Sequence, residues 1–453
     1  MTHRYPLLAL IACLLLAGAS CGPAEPVQQD SSTGPCVESQ CYASCQTQGY
    51  GGGGCVGTQC YCTGVNPDGS LPGTAVTGKV WSPGQLVGIS GALVHFSTSE
   101  PPPIPDGAYP ESCTEPIGAH VLSSPDGTFA VGVAPGAYRL VVQKGQFRRV
   151  RDVLVPAQGP FELPADLTTL PNNMNSAGDT IPNIALVWAL SNGDKIEKAL
   201  ATLGMAQVDT WGDLQMGSEE FDIYNVSPYE PNTSLLNSLS RMLEYHIIFF
   251  PCTIAGFGEQ LNDPTGPLSD PAVLDNIRAF LNAGGKIYST DMMYDVFEQA
   301  LPEYLDMCGD DATLNAADEE AWAHSQTMSG WTSNGRALDP NLAAWLDAVG
   351  FNSQSIDFME NFVWIESMYE EYEPIAGDPE PPHVWVEGNF ILNPSQTLPL
   401  TVTFPYGPGK VLFSTYHTVG STGGQQQISG LVAQEWVLVY LIMEIGVCST
   451  PVL

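Results

Sequence analysis

Between residues 183 and 447 short apolar runs alternate with amphipathic ones, and this alternation constrains the fold more than any other feature. IALVWAL precedes DKIEKALATLG, YHIIFFP precedes DPAVLDNIRAFLNAGG, and KIYST precedes MYDVFEQALPEYL. A strand buried on both faces is a continuous apolar run, whereas a helix lying on a sheet needs only one apolar stripe. Their alternation predicts an α/β domain with a mostly parallel sheet and helices on its faces. Gly284 and Gly285 stop the helix that ends at Ala283. Further on, LPLTVTFPYG and GKVLFSTYH predict a strand pair. QQISGLVAQEWVLVYLIMEIG predicts a closing helix, its stripe of Leu431, Trp436, Val439, Tyr440 and Met443 packed on the sheet. Glu435 and Glu444 argue against that helix crossing a membrane.

Residues 75–164 follow a different pattern. GKVWS, GALVHFS, GTFAVGV and YRLVVQKG alternate apolar and polar positions and are separated by SPDG and APG, which predicts a small β-sandwich. The insert PPPIPDGAYPESC has too many prolines to be a central strand. Lys144, Arg148, Arg149 and Arg151 form a basic patch that either docks on the acidic domain that follows or solvates an edge strand. Polar, Pro- and Gly-containing stretches at 22–35, 63–74 and 165–182 are expected as linkers.

The N-terminus, 1–21, has His3 and Arg4, an apolar run from Leu7 to Leu16, then small residues, the pattern of a secretory signal. LAGASC, ending at Cys21, resembles a bacterial lipoprotein processing site, although Gly18 stands where Leu or Val is usual. LIAC at Cys13 fits the local pattern better but leaves a very short apolar region. Losing Arg4 would leave 13 of the 14 Lys and Arg against 49 acidic residues. So acidic a chain excludes nucleic acid as a partner and leaves a lipid anchor as the one expected tie to a membrane.

Export decides what cysteine means. Six of the twelve cysteines, Cys36, Cys41, Cys45, Cys55, Cys60 and Cys62, fall within 36–62. That segment has no histidine, and the chain is expected to be exported, so no metal is expected there. In an oxidising compartment six cysteines so close together predict three disulfides, because a segment this short buries too little to fold without them. The C-x3-C pair shares one face of a helix and the C-x-C pair one face of a strand. Bridges between those pairs clamp helix to hairpin, and the segment resembles the invertebrate-type defensins, with Gly53-x-Cys55 and the closing C-Y-C in place. The resemblance implies the pairs Cys36–Cys55, Cys41–Cys60 and Cys45–Cys62. Defensins that kill through membranes are cationic, whereas Glu38 is the only charge between Cys36 and Cys62. The segment is therefore expected as a rigid knob, not a toxin.

Two further resemblances cover the rest. Gly78-x-Val80, Gly91-Ala92-x-Val94, Asp126-Gly127-x-Phe129 and Pro135-Gly136-x-Tyr138 are similar to the carboxypeptidase regulatory-like family, a prealbumin-like β-sandwich used as a spacer or adhesion module. There Asp126-Gly127 makes a hairpin turn and Phe129 and Tyr138 fill the core. YHIIFFPC, FLNAGGKIYSTD and GKVLFSTYH resemble the class I glutamine amidotransferase-like fold over roughly 183–447. That resemblance implies a cysteine nucleophile on the turn after KIYST, but Asp291 stands there; His417 falls where the family histidine would fall, and Glu435 lies too far along to be its partner.

Cys252, at the end of YHIIFFP, is either a nucleophile for His417 or a structural cysteine, as Cys113, Cys308 and Cys448 would be. Asp291 either reacts or caps the helix after it. The acidic, aromatic stretch 357–374 faces a ligand such as a glycan or covers the sheet.

The leading expectation is an exported, lipid-anchored bacterial surface protein without catalytic activity or cofactor, binding a protein or glycan. The alternative is a hydrolase or acyl-transfer enzyme using Cys252 or Asp291 with His417. Metabolic labelling with palmitate checks the anchor: the chain takes up label, and Cys21→Ser loses it entirely.

Overall fold

The computed structural model describes residues 52–56, 59–63, 73–111, 116, 118–175, 177–187, 194–209, 214–224, 230–252, 266–307, 330–369, 380–390, 393–418 and 426–446, the first two segments as backbone only. All of them belong to one compact unit, 36–453. Among the described residues, no helix is long and apolar enough to cross a membrane.

The first pair of strands, β1 (Gly52–Val56) and β2 (Gln59–Thr63), forms an antiparallel hairpin with Cys55 opposite Cys60 and Gly53 opposite Cys62. The bridges expected for Cys36, Cys41, Cys45, Cys55, Cys60 and Cys62 lie outside what is described, as do Cys21, Cys113, Cys308 and Cys448.

Residues 74–180 fold into two facing sheets. The smaller joins β3 (Thr74–Lys79), β6 (Thr128–Val133) and β9 (Phe161–Glu162). The larger runs in the order β10 (Asp179–Thr180), β8 (Phe147–Val155), β7 (Gly136–Lys144), β4 (Leu93–Ser97) and β5 (His120–Leu122). Val76, Phe129 and Val131 from one sheet and Val94, Phe96, Leu140 and Val142 from the other share one core. Asp126-Gly127 does turn the chain, with Gly127 at φ +87°, but it carries β5 in one sheet to β6 in the other. Tyr138 is only half-buried; its ring stands edge-on to Phe96 and its hydroxyl donates to the Ala134 carbonyl.

Residues 165–182, expected as a linker, are folded into this unit. Ala165–Thr168 is helical, and β10 pairs with β8. Asp179 explains the attachment: its carboxylate accepts from Arg149 at 3.0 and 3.1 Å and from Arg151 at 2.8 Å. These bonds outweigh the upward push of burial and hold Asp179 below the usual carboxylate pKa. Of the basic patch, Lys144 docks on the domain that follows, reaching Glu444 of the closing helix at 2.5 Å, while Arg149 and Arg151 bind the edge strand β10.

Beyond it lies a nine-stranded sheet, ordered β12 (Asp222–Tyr224), β11 (Ile184–Val187), β13 (Ile247–Phe250), β14 (Lys286–Thr290), β21 (Gly409–Ser414), β20 (Asn393–Tyr406), β19 (His383–Phe390), β16 (Trp331–Ala337) and β17 (Ile356–Asn361). The pairings from β12 to β21 are parallel, and those from β21 to β17 are antiparallel. The mostly parallel sheet expected from the sequence is therefore only the first half of a mixed one. The reason is that β19, β20 and β21 follow one another through connections of two residues, which antiparallel neighbours permit and parallel ones do not, while the helix Pro340–Val349 lies between β16 and its antiparallel neighbour β17. The strand pair expected from LPLTVTFPYG and GKVLFSTYH is β20 with β21, Thr401 opposite Ser414. A small ribbon of β15 (Leu305–Met307) and β18 (Ile365–Met368) lies outside the sheet.

Both faces of the parallel half are buried. Ile247 and Phe249 join the core shared with the sandwich, while Ile248 and Phe250 join the core under the helix Pro271–Asn282. The closing helix, Ala433–Glu444, was expected to bury one stripe. Instead its residues from Gln434 to Met443 are all buried: Trp436 and Tyr440 pack against Trp345 of the helix Pro340–Val349, and Lys144 of the β-sandwich lies over Tyr440.

The Pro-rich insert straps the two parts together. Ala108 donates its amide to the Leu243 carbonyl, and a Cβ at Gly107 would overlap that same carbonyl. His246 accepts from the Asn183 amide at Nδ1, so its Nε2 carries the hydrogen donated to the Pro105 carbonyl. Burial keeps this imidazole neutral, its pKa lowered to about 4. Glu111 closes the strap on Lys286, 2.8 Å away; the lysine side chain is 2% exposed. Removing one partner of a buried ion pair strands the other charge, at a cost of about 3–5 kcal/mol. Glu111→Ala is therefore expected to lose about that much stability in urea unfolding, with sandwich and α/β signals still shifting together.

Candidate active site

The three candidates from the sequence, Cys252, Asp291 and His417, meet in space. Each follows the carboxyl end of a strand: Cys252 follows β13, Asp291 follows β14 and His417 follows β21. These strands are neighbours and parallel, so their carboxyl ends lie on one edge, where α/β sheets place their sites. One potential ligand atom from each residue lies within 4.8 Å of the other two. His417 Nε2 is 3.4 Å from Asp291 Oδ2. Cys252 is a free thiol, 2% exposed; Asp291 is fully buried and His417 is 5% exposed.

Local structure fixes each side chain. Cys252 donates its amide to Thr290 Oγ1 at 2.8 Å, tying the end of β13 to that of β14. Asp291 turns the chain sharply from β14 into a 3-10 turn, Asp291–Tyr294, at φ +49°. Ser289 Oγ donates to the Met293 carbonyl and braces the turn. A non-glycine residue in this region stores strain of about 1–3 kcal/mol, and such residues gather at functional sites. Asp291 therefore does not act as a helix cap: neither of its oxygens has a hydrogen-bond partner among the described residues.

Two site residues were not singled out from the sequence. Glu360, at the end of β17, accepts from His417 Nδ1 at 3.0 Å through Oε2, and it too has a positive φ, +58°. Of the four non-glycine residues with positive φ among those described, two are thus carboxylates flanking His417. Glu360 lies in the acidic, aromatic stretch 357–374, and that composition was the only signal for it. From the same stretch Phe362 stacks at a tilt 5.1 Å from the His417 ring, whereas Val363 and Ile365 enter the core, so the stretch both faces the site and covers the sheet. Asp194, beyond β11, is the second. Its amide donates to the Cys252 carbonyl, and its Oδ1 accepts from the amides of Lys195 and Thr418 and from the Thr418 hydroxyl. It locks the Cys252 loop to the His417 loop.

The closing helix contributes Gln434, which donates to the His417 carbonyl at 2.5 Å and accepts from the Met359 amide at 2.8 Å. Glu435 accepts from the Val432 amide at its own helix start and takes no part in the site, as the sequence suggested.

The electrostatics follow from burial. It pushes Asp291 well above the usual carboxylate range; His417 pulls the other way, and Asp194 and Glu360 add to the rise. Burial and then Asp291 raise the Cys252 thiol. Burial disfavours a charge on His417, but the Cys252 sulfur, Glu360 and Asp291 outweigh it and raise its pKa. A thiol, a strained carboxyl and an imidazole oriented by a second carboxylate are the parts from which nucleophile–base centres are made.

No family model matches the chain, and no curated protein does. Among solved structures it is similar to a cytoplasmic protein of Salmonella typhimurium, at 14% identity and a TM-score of 0.32, over 58% of this chain and 99% of that one. A ThuA-like protein from Parabacteroides merdae matches at 11% identity and 0.32, over 58% and 88%. PurLQS from Thermotoga maritima matches at 11% and 0.32, over 58% and 98%. The chemistry of the site is read from its own geometry.

Replacing Asp291 by glycine removes both the strained φ and a buried carboxyl without partners. Asp291→Gly is expected to be more stable than the native chain by about 1–3 kcal/mol in urea unfolding. A loss of stability instead would mean that the carboxyl is held by favourable contacts.

Proposed function

We propose that the protein is an exported, lipid-anchored surface enzyme, a hydrolase or acyl-transfer enzyme whose reaction centre is the Cys252–Asp291–His417 cluster. One observation carries this reading: residues far apart in sequence converge on a buried point where a thiol, a carboxyl and an imidazole face one another, and two of the carboxylates around the histidine sit in strained backbone. A module that only binds protein or glycan, the reading the sequence placed first, gains nothing from burying unsatisfied polar atoms. Each such atom costs about 1–3 kcal/mol, a cost that native structures tolerate mainly where chemistry requires it.

In this reading His417 is the proton-transfer group. Its Nδ1–H is anchored on Glu360, which leaves Nε2 facing Cys252 and Asp291. Asp194 and Gln434 are positioning residues that hold the backbone on either side. The β-sandwich, fused to the domain through Lys144, Lys286 and the Pro-rich strap, serves as a rigid part of the enzyme and not as a free spacer.

The mature chain offered a panel of ester, amide and glycoside reporters provides the test. Turnover is expected on at least one acyl reporter, falling by about 10²- to 10⁴-fold in His417→Ala, the usual worth of a positioned acid–base group. Equal rates for native and His417→Ala protein across the whole panel would overturn the enzymatic reading.

A further inference from the structure

We propose that Cys252, Asp291 and His417 are the three protein ligands of a mononuclear site for a divalent transition-metal ion of the zinc class. The first argument is distance. A separation of 3.4 Å between His417 Nε2 and Asp291 Oδ2 is longer than a good N–H···O bond, which spans about 2.7–3.2 Å. It does match the edge of a tetrahedron whose metal–nitrogen and metal–oxygen bonds are about 2.0–2.2 Å, an edge of about 3.4 Å. The Cys252 sulfur completes a set of donors that all lie within 4.8 Å. A thiolate edge of the same tetrahedron is about 3.6 Å, so a side-chain adjustment of about an ångström closes the set on an ion.

Unmet bonding capacity is the second argument. Asp291 Oδ1, Asp291 Oδ2 and His417 Nε2 make no hydrogen bond of good geometry among the described residues; they face one another and the Cys252 sulfur, and all belong to buried side chains. A cation between them and the thiol satisfies each with one interaction. The third argument is the support around the ligands. Metal-bound histidines donate their other ring N–H to a carboxylate or carbonyl, and Glu360 is so placed on Nδ1 at 3.0 Å. The chemistry of the donors selects the ion: sulfur and imidazole favour zinc and its neighbours, while calcium and magnesium take oxygen sets.

Three protein ligands leave one coordination position for water or a substrate oxygen, the arrangement of catalytic rather than structural zinc. The assignment of that open position rests on the hydrolase reading, and it makes Cys252 and His417 ligands in place of nucleophile and proton-transfer group; metal binding itself does not depend on that reading. No residue spacing marks this site, because its ligands follow three separate strands.

Cobalt(II) and zinc(II) titrations of the chelator-treated mature chain test the proposal. One cobalt ion per chain is expected at this site, with a thiolate-to-cobalt charge-transfer band that Cys252→Ser abolishes. Glu360→Gln, which keeps an acceptor for Nδ1, is expected to weaken zinc binding by about 10- to 100-fold while the circular dichroism spectrum is unchanged. The proposal is overturned if the native chain shows no such band, or if the band and the zinc affinity survive in Cys252→Ser and His417→Ala, which would place the ion on other cysteines. Metal bound at this site without turnover overturns the hydrolase reading alone. Turnover by protein that binds no metal overturns the metal site alone.

Discussion

The molecule depends on the parallel pairing of β11, β13, β14 and β21. Parallel neighbours carry their chain in one direction, so each delivers its following loop to one edge of the sheet. That edge receives Asp194, Cys252, Asp291 and His417 in turn. The strands are held there by burial on both faces: alternate side chains of β13 enter the two cores, leaving no solvated face on which the register can slip.

The same edge shows how a polar centre is kept in an apolar setting. Asp194 cross-links the loops after β13 and β21, Thr290 fixes the Cys252 backbone, and Gln434 holds the carbonyl of His417 and the amide of Met359 together. These bonds satisfy the scaffold while the groups at the centre are left to one another. Two of the four positive-φ non-glycine residues among those described, Asp291 and Glu360, are the carboxylates that approach the histidine. The β-sandwich meets the closing helix that carries Gln434, where Lys144 lies over Tyr440.

Much of the fold was legible in the sequence. Continuous apolar runs marked the parallel strands, and alternating runs with Asp126-Gly127 marked the sandwich. The candidate residues Cys252, Asp291 and His417 could be named because each follows directly on a legible strand. Glu360 could not be, since it reaches the site only through the antiparallel half, which brings β17 back to the His417 loop. Nor could Asp194, whose role is to bond backbone groups of residues distant in sequence.

Local patterns in the sequence marked the strands of the parallel half, the strands of the small sandwich, and the three candidate residues Cys252, Asp291 and His417, because periodicity and turn chemistry are local properties. The tertiary structure alone decided the even division of the large sheet, the burial of the closing helix on every side, and the use of 101–111 and 165–182 as folded parts of the unit. It alone brought the sulfur, carboxyl and imidazole within 4.8 Å of one another. Those outcomes depend on which strands become neighbours, and strand order is set by the burial of the whole chain, not by any stretch of it.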